Sequence, residues 1–229
     1  MKTLGLIGGM SWESTIEYYR LINEMIKERL GGWNSAKLLI YSVNFQEILP
    51  LQNKGKWNEI STIMVDISKK LELAGCSAIL ICSNTMHKVA DEIEKQIHVP
   101  LIHVVDETAK VIKATKIEKV GLLGTKFTME GGFYVERLIE KYELRVFLPS
   151  QADRNYIHNA IYNELVQGEF KEPTKKKFLD IIDELSSQGV QGIILGCTEI
   201  PLLIKEKDVK IQLFNTLTIH LKGAIEFLD

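Results

Sequence analysis

Apolar residues recur along this chain in two rhythms. Short unbroken apolar runs bounded by turn residues read as buried strands. They lie at residues 2–8, 37–42, 77–82, 101–105, 119–124, 145–147, 192–196 and 212–214. Between them, apolar residues fall at helical spacing. Residues 14–30 carry Ile16, Tyr19, Ile22, Met25 and Ile26, and residues 57–74 carry Ile60, Ile63, Val65, Ile67 and Leu71. Further helices are predicted at 86–96, 107–114, 132–141, 155–166, 174–187 and 218–228. Residues 43–56 read as a loop or short helix, broken by Pro50 and Gly55. Strands alternating with helices predict an α/β fold with parallel sheets.

The pattern repeats. Residues 71–85 read LELAGCSAILICSNT, and residues 185–199 read LSSQGVQGIILGCTE. At a constant offset Gly75 meets Gly189, Ile79 meets Ile193, Ser83 meets Cys197, Asn84 meets Thr198 and Thr85 meets Glu199. At nearly the same offset Leu4-Gly5-Leu6-Ile7-Gly8-Gly9 meets Val120-Gly121-Leu122-Leu123-Gly124-Thr125, and helices carrying Tyr18 and Tyr134 follow. Two such matches predict a duplicated half and therefore two similar lobes, each a parallel sheet flanked by helices. The first lobe is expected at 1–98 and the second at 99–210. The closing strand and helix, 211–229, are expected to return to the first.

Ligand sites in open α/β sheets lie at the carboxyl ends of strands, so the turns that leave those strands are where chemistry is expected. Gly196-Cys197-Thr198-Glu199 ends one apolar run, and Ile200-Pro201 opens the next helix, where proline's missing N–H costs nothing. The positive end of that helix is expected to favour a Cys197 thiolate. At the equivalent turn Ser83 stands where Cys197 stands. Side chains alternate along a strand, so with Ser83 facing the site, Cys82 is expected to face the core. Cys76 reads as a small buried hydrophobe, and His87, just past the turn, as a residue that either lines the site or supports it.

Composition narrows the classes. The chain has 229 residues with 45% hydrophobic and 25% charged, and a net charge of −2. That balance speaks against nucleic acid or an anionic membrane as partner. The apolar runs are far short of a membrane span. Three cysteines without CxxC spacing, and an opening strand without a signal-peptide pattern, predict a cytoplasmic protein with reduced thiols. The histidines lack HExxH spacing, so no metal is expected. Gly5-x-x-Gly8-Gly9 is not a dinucleotide fingerprint and reads as a turn allowing close approach of a substrate. Lys175-Lys176-Lys177 reads as a solvated helix face.

The stretches Ile7-Gly8-Gly9-Met10-Ser11-Trp12-Glu13-Ser14-Thr15, Ser83-Asn84-Thr85-Met86-His87 and Gly196-Cys197-Thr198-Glu199 resemble the aspartate/glutamate racemase family over essentially the whole chain. The resemblance implies an active site in the cleft between two α/β lobes. It implies racemisation of an acidic amino acid without pyridoxal phosphate, metal or other cofactor. Two cysteines usually flank the substrate's α-carbon, the second-lobe cysteine handling the L enantiomer. Here Ser83 takes the place of the first, which is similar to a few atypical members carrying threonine there. An arginine and a lysine that often hold the substrate carboxylate are also missing: Gln46, Gln52, Val166 and Gln167 occupy those stretches, and Asn215-Thr216 replaces a usual Asp-Thr. Recognition then falls to backbone amides, Thr and Asn side chains, or a lysine from elsewhere.

The expected catalytic pair is Cys197 and Ser83, with Met10, Gln52, Asn84, Thr85, Thr125, Thr198 and Glu199 binding substrate. Glu199 is expected to orient or deprotonate Cys197. A serine hydroxyl is a poorer proton acceptor than a thiolate, so Ser83 needs an activating neighbour or acts as donor only. The expected partner is a small amino-acid substrate, and the expected assembly a homodimer. Two readings compete with a racemase: a single-cysteine decarboxylase or isomerase of the same fold, and a degenerate amino-acid-binding protein.

Overall fold

The computed structural model describes residues 1–228 and divides the chain into two α/β units, Met1–His103 with the chain from His220 onward, and Val104–Ile219. In the first unit, strand β1 (Leu4–Gly8) runs parallel between β2 (Leu38–Ser42) and β3 (Ala78–Ile81). Leu4, Leu6 and Ile7 are fully buried. A central strand covered on both faces needs side chains that are apolar on both, hence its unbroken run. Helices α1 (Trp12–Leu30), α2 (Phe45–Asn53), α3 (Trp57–Leu73) and α4 (Ala90–Glu94) complete the connections. Ser11 caps α1, its hydroxyl accepting from the Ser14 N–H at 3.3 Å.

The second unit contains α5 (Val104–Ala114), β4 (Lys119–Gly124), α6 (Lys126–Glu130), α7 (Phe133–Tyr142), β5 (Arg145–Phe147), α8 (Gln151–Asn163), α9 (Glu172–Ser187), β6 (Gly192–Gly196), α10 (Ile200–Leu203) and β7 (Gln212–Asn215). Its parallel sheet has the order β5-β4-β6-β7. The last helix, α11 (Thr216–Leu228), starts in this unit, and its residues from His220 group with the first.

The internal repeat is physical. Leu4 of β1 pairs with Ala78 of β3, and its counterpart Val120 of β4 pairs with Gly192 of β6. A Cβ on Gly5 would lie 2.8 Å from Ile79 Cδ1, 3.1 Å from Cys76 Sγ and 3.2 Å from Leu71 Cβ. A Cβ on Gly121 would lie 2.7 Å from Ile193 Cδ1, 3.0 Å from Leu185 Cδ1 and 3.5 Å from Val190 Cγ1. The neighbours are the same positions of the repeat, so both glycines exist to let one isoleucine and one helix close on the strand. Gly75 and Gly189 both turn the chain at positive φ, +89° and +84°, and Tyr18 and Tyr134 are both buried.

Several expectations fail for reasons of packing. The first cut falls after His103 and the second after Ile219, not at 98 and 210. Strand β7 does not return to the first lobe but pairs with β6, because the edge of the second sheet offers the free backbone groups it needs. Residues 101–105 are not a strand: Leu101 makes one parallel bridge to Ile79, and α5 has begun by Val104. On α1 the buried residues are Ser14, Thr15, Tyr18, Ile22 and Ile26, leaving Ile16 and Tyr19 half exposed. Both stripes fit helical spacing, and only the sheet chooses between them. The helix expected at 86–96 is a 3₁₀ turn (Thr85–Val89) followed by α4.

Candidate active site

The turn after β6 carries the clearest chemistry. Cys197 is buried, 9% exposed, and its thiol donates to Glu199 Oε2 at 2.9 Å. The Thr198 hydroxyl donates to the same oxygen at 2.8 Å. One carboxylate oxygen therefore gathers a thiol proton and a hydroxyl proton within three consecutive residues. Burial pushes the Cys197 thiol well above its ordinary value, and the neighbouring Glu199 charge and hydrogen bond push further. The expected thiolate at a helix start is thus corrected. Helix α10 is a single turn of 4 residues, and its dipole and the turn's N–H groups are outweighed by desolvation and a facing carboxylate. In this contact the thiol is the donor and Glu199 Oε2 the acceptor.

The equivalent turn in the first unit is built differently. Cys82 is fully buried, and burial drives its thiol far up. Its carbonyl accepts from the Ser14 hydroxyl at 3.0 Å, and its N–H donates to Ile7 O at 2.9 Å. Ser83 is partly exposed. Alternation along β3 thus sends Cys82 into the core and Ser83 out of it. The Ser83 carbonyl accepts from His87 Nδ1 at 2.8 Å. The imidazole holds the serine's main chain and not its hydroxyl, so His87 is not the activating base that a serine nucleophile or base requires.

The other candidates divide between the units. Met10, Gln52, Asn84 and Thr85 belong to the first, each buried at 2–7% exposure; Thr125, Thr198 and Glu199 belong to the second and are buried to the same degree. Thr125 also caps α6, accepting from the Thr128 N–H at 3.3 Å, so its hydroxyl has a structural task. Gly9 is tight for a reason other than a substrate. A Cβ there would lie 2.2 Å from Val43 O, so the close approach is that of the protein's own backbone after β2. Cys76 lies in the first unit's core.

Two groups went unmarked by any motif. Lys126 follows Thr125 at the carboxyl end of β4, and its N–H donates to His158 Nδ1 at 3.3 Å. His158 is held below its ordinary range by burial and then by the Lys126 charge. Arg154 is taken by Glu130 at 2.7 Å and Lys177 by Asp153 at 2.6 Å. The second group is aromatic: His87, His103 and His220, far apart in sequence, pack together in the first unit. Among the described residues no helix is long and apolar enough to cross a membrane.

A family profile described as Asp/Glu/Hydantoin racemase matches residues 7–224. The chain is similar to a crystal structure described as an Asp/Glu racemase from Yersinia pestis, with 48% identity, full coverage of both chains and a TM-score of 0.94. It is also similar to an aspartate racemase homologue from Pyrococcus horikoshii OT3, with 37% identity, 99% coverage of each and a TM-score of 0.87. A glutamate racemase from Persephonella marina is 28% identical over 182 residues, which span 79% of this chain and 66% of that protein.

Proposed function

The chain belongs to the Asp/Glu/hydantoin racemase family, a family of isomerases, and we propose that it racemises aspartate, glutamate or both by proton transfer at the α-carbon. The observation that carries this reading is the pair of equivalent turns, one presenting Cys197 with its carboxylate acceptor and the other presenting Ser83. Cys197 passes its proton to Glu199 and, as thiolate, takes the α-proton of the L enantiomer. The electron pair left on the α-carbon spreads into the substrate carboxylate, which N–H groups of the Asn84-Thr85 and Thr198-Glu199 turns hold. Ser83 delivers its hydroxyl proton to the opposite face; the serine then recovers a proton from solvent and Glu199 releases the one it took, which restores both turns. Because serine is a reluctant base, the reverse direction is the slower half of the cycle.

The side-chain carboxylate needs a cation, and Lys126 is the group we assign to it. Arg154 and Lys177 of the same unit are engaged with Glu130 and Asp153. The reaction runs without pyridoxal phosphate or metal, in a cytoplasmic homodimer. Exposed Trp12, Ile16 and Tyr19 on α1 and Leu39, Ile40 and Tyr41 on β2 supply an apolar surface suited to a second copy.

The test is solvent deuterium exchange into L- and D-aspartate and L- and D-glutamate, with the enantiomer ratio followed in parallel. Exchange with inversion of at least one pair is expected. A protein that exchanges none of the four loses this assignment. Release of carbon dioxide from a malonate-type acid would then point to a one-cysteine decarboxylase, and binding without turnover to an amino-acid carrier.

A further inference from the structure

The histidine cluster of the first unit has no part in the proton transfers proposed above, yet it sits directly behind one of the two reacting turns. His87, His103 and His220 are 2%, 4% and 0% exposed. The His87 ring lies 4.7 Å from that of His103 and 5.5 Å from that of His220, centroid to centroid. They arrive from different elements: the 3₁₀ turn after β3, the segment before α5, and α11. Three buried imidazoles are costly in polar groups, and each buried nitrogen needs a partner.

The partners determine the tautomers. His220 Nε2 is 2.6 Å from Ile102 O, and a carbonyl only accepts, so Nε2 carries the hydrogen. Nδ1 is then the acceptor for the Tyr18 hydroxyl at 2.8 Å. Burial holds His220 down to about 4, so it is neutral and adds no charge to the cluster. His87 Nδ1 is 2.8 Å from Ser83 O, so there the hydrogen is on Nδ1. The His87 N–H also donates to Asn84 O at 3.2 Å. Ring and backbone of one residue thus close the Ser83-Asn84 turn, while His103 and His220 back the ring. The second unit has no counterpart, since the repeat places Pro201 opposite His87.

We propose that His87 is a positioning residue for Ser83: its Nδ1–H fixes the serine's peptide plane and so the aim of the hydroxyl, with the His103 and His220 rings as a rigid backing. The inference rests on the racemase reading, in which Ser83 protonates one face of the substrate. A serine that can only donate needs its proton aimed well, and misplacement of about 1 Å costs up to about a hundredfold in rate.

The test separates His87→Asn, whose Nδ2 occupies the place of Nδ1, from His87→Gln and His87→Ala, which offer no donor there. All three lose the ring contacts. Inversion of L substrate should stay within about threefold of wild type in His87→Asn. It should fall about 10- to 100-fold in the other two, in kcat and not in KM. Solvent exchange into L substrate without inversion, which needs the Cys197 turn and not Ser83, should be retained in all three. Equal loss in the Asn and Gln variants would overturn the inference, as would parallel loss of exchange and inversion. A wild type that exchanges nothing overturns the racemase reading and this inference with it. A second measurement needs no variant: the ¹⁵N resonances of His87 should report the Nδ1–H tautomer, and the Nε2–H tautomer would overturn the assignment.

Discussion

The turns after β3 and β6 are the same piece of scaffold carrying different side chains. Both follow a fully buried strand, both are preceded by a glycine at positive φ, and both sheets admit an isoleucine against a glycine of the neighbouring strand. The contents differ. After β6 a carboxylate gathers the protons of Cys197 and Thr198. After β3 a histidine clamps the main chain of Ser83 and leaves its hydroxyl without a base from that ring. Duplication preserves what the backbone needs for packing and frees the residues at strand ends, where side chains leave the core. In the racemase reading this makes one half of the site a base and the other a donor.

The largest test of that contrast is Cys197→Ala. It should lower exchange from L substrate by about 10²- to 10⁴-fold, the range for losing a general base, while thermal unfolding shifts little. Retained L exchange would mean that the base lies elsewhere.

Glu199→Gln comes next. Without a carboxylate to receive the thiol proton, the sulfur must ionise to solvent. Burial still holds it high, so exchange at neutral pH should fall about 10- to 100-fold. The sign follows from the group involved: a thiol acts as base only when deprotonated, so the loss should shrink as pH rises. A pH–rate profile parallel to wild type would remove Glu199 from the proton path.

Ser83→Cys should make the two turns chemically alike. Exchange from D substrate should rise by about tenfold or more, since a thiol ionises far more readily than a serine hydroxyl. The final enantiomer ratio must stay unchanged, because an enzyme cannot move an equilibrium. Unaltered D exchange in both Ser83→Cys and Ser83→Ala would exclude position 83 as the facing group.

The scaffold itself should respond evenly. Gly5→Ala and Gly121→Ala each force a Cβ against an isoleucine, and each should cost about 1–3 kcal/mol by denaturant unfolding. Unequal losses would show that one lobe repacks where the other does not. The smallest effect is expected for Cys82→Ala: a packing loss of about 1 kcal/mol with kinetics near wild type. Loss of activity there would shift the reacting residue of the turn by one position.

Much of this was legible in the chain. The unbroken apolar runs of β1, β3, β4 and β6 announce strands covered on both faces, since no other element buries so many consecutive residues. The offset between Leu71–Thr85 and Leu185–Glu199 aligned the two turns residue by residue, and alternation sent Cys82 inward, because strand geometry is local and periodic. What the chain left open needed contacts between distant residues. Two apolar stripes on α1 satisfy helical spacing equally, and the sheet selects Tyr18, Ile22 and Ile26. Strand β7 has no local mark saying which sheet edge it joins. Helix-start reasoning favoured a thiolate at Cys197, but burial and Glu199 push the thiol the other way, which only the folded turn reveals. His87, His103 and His220 are three separate letters in the sequence. They become one device only where the 3₁₀ turn, the segment before α5 and α11 meet, because hydrogen-bond partners and ring contacts depend on distance in space and not along the chain.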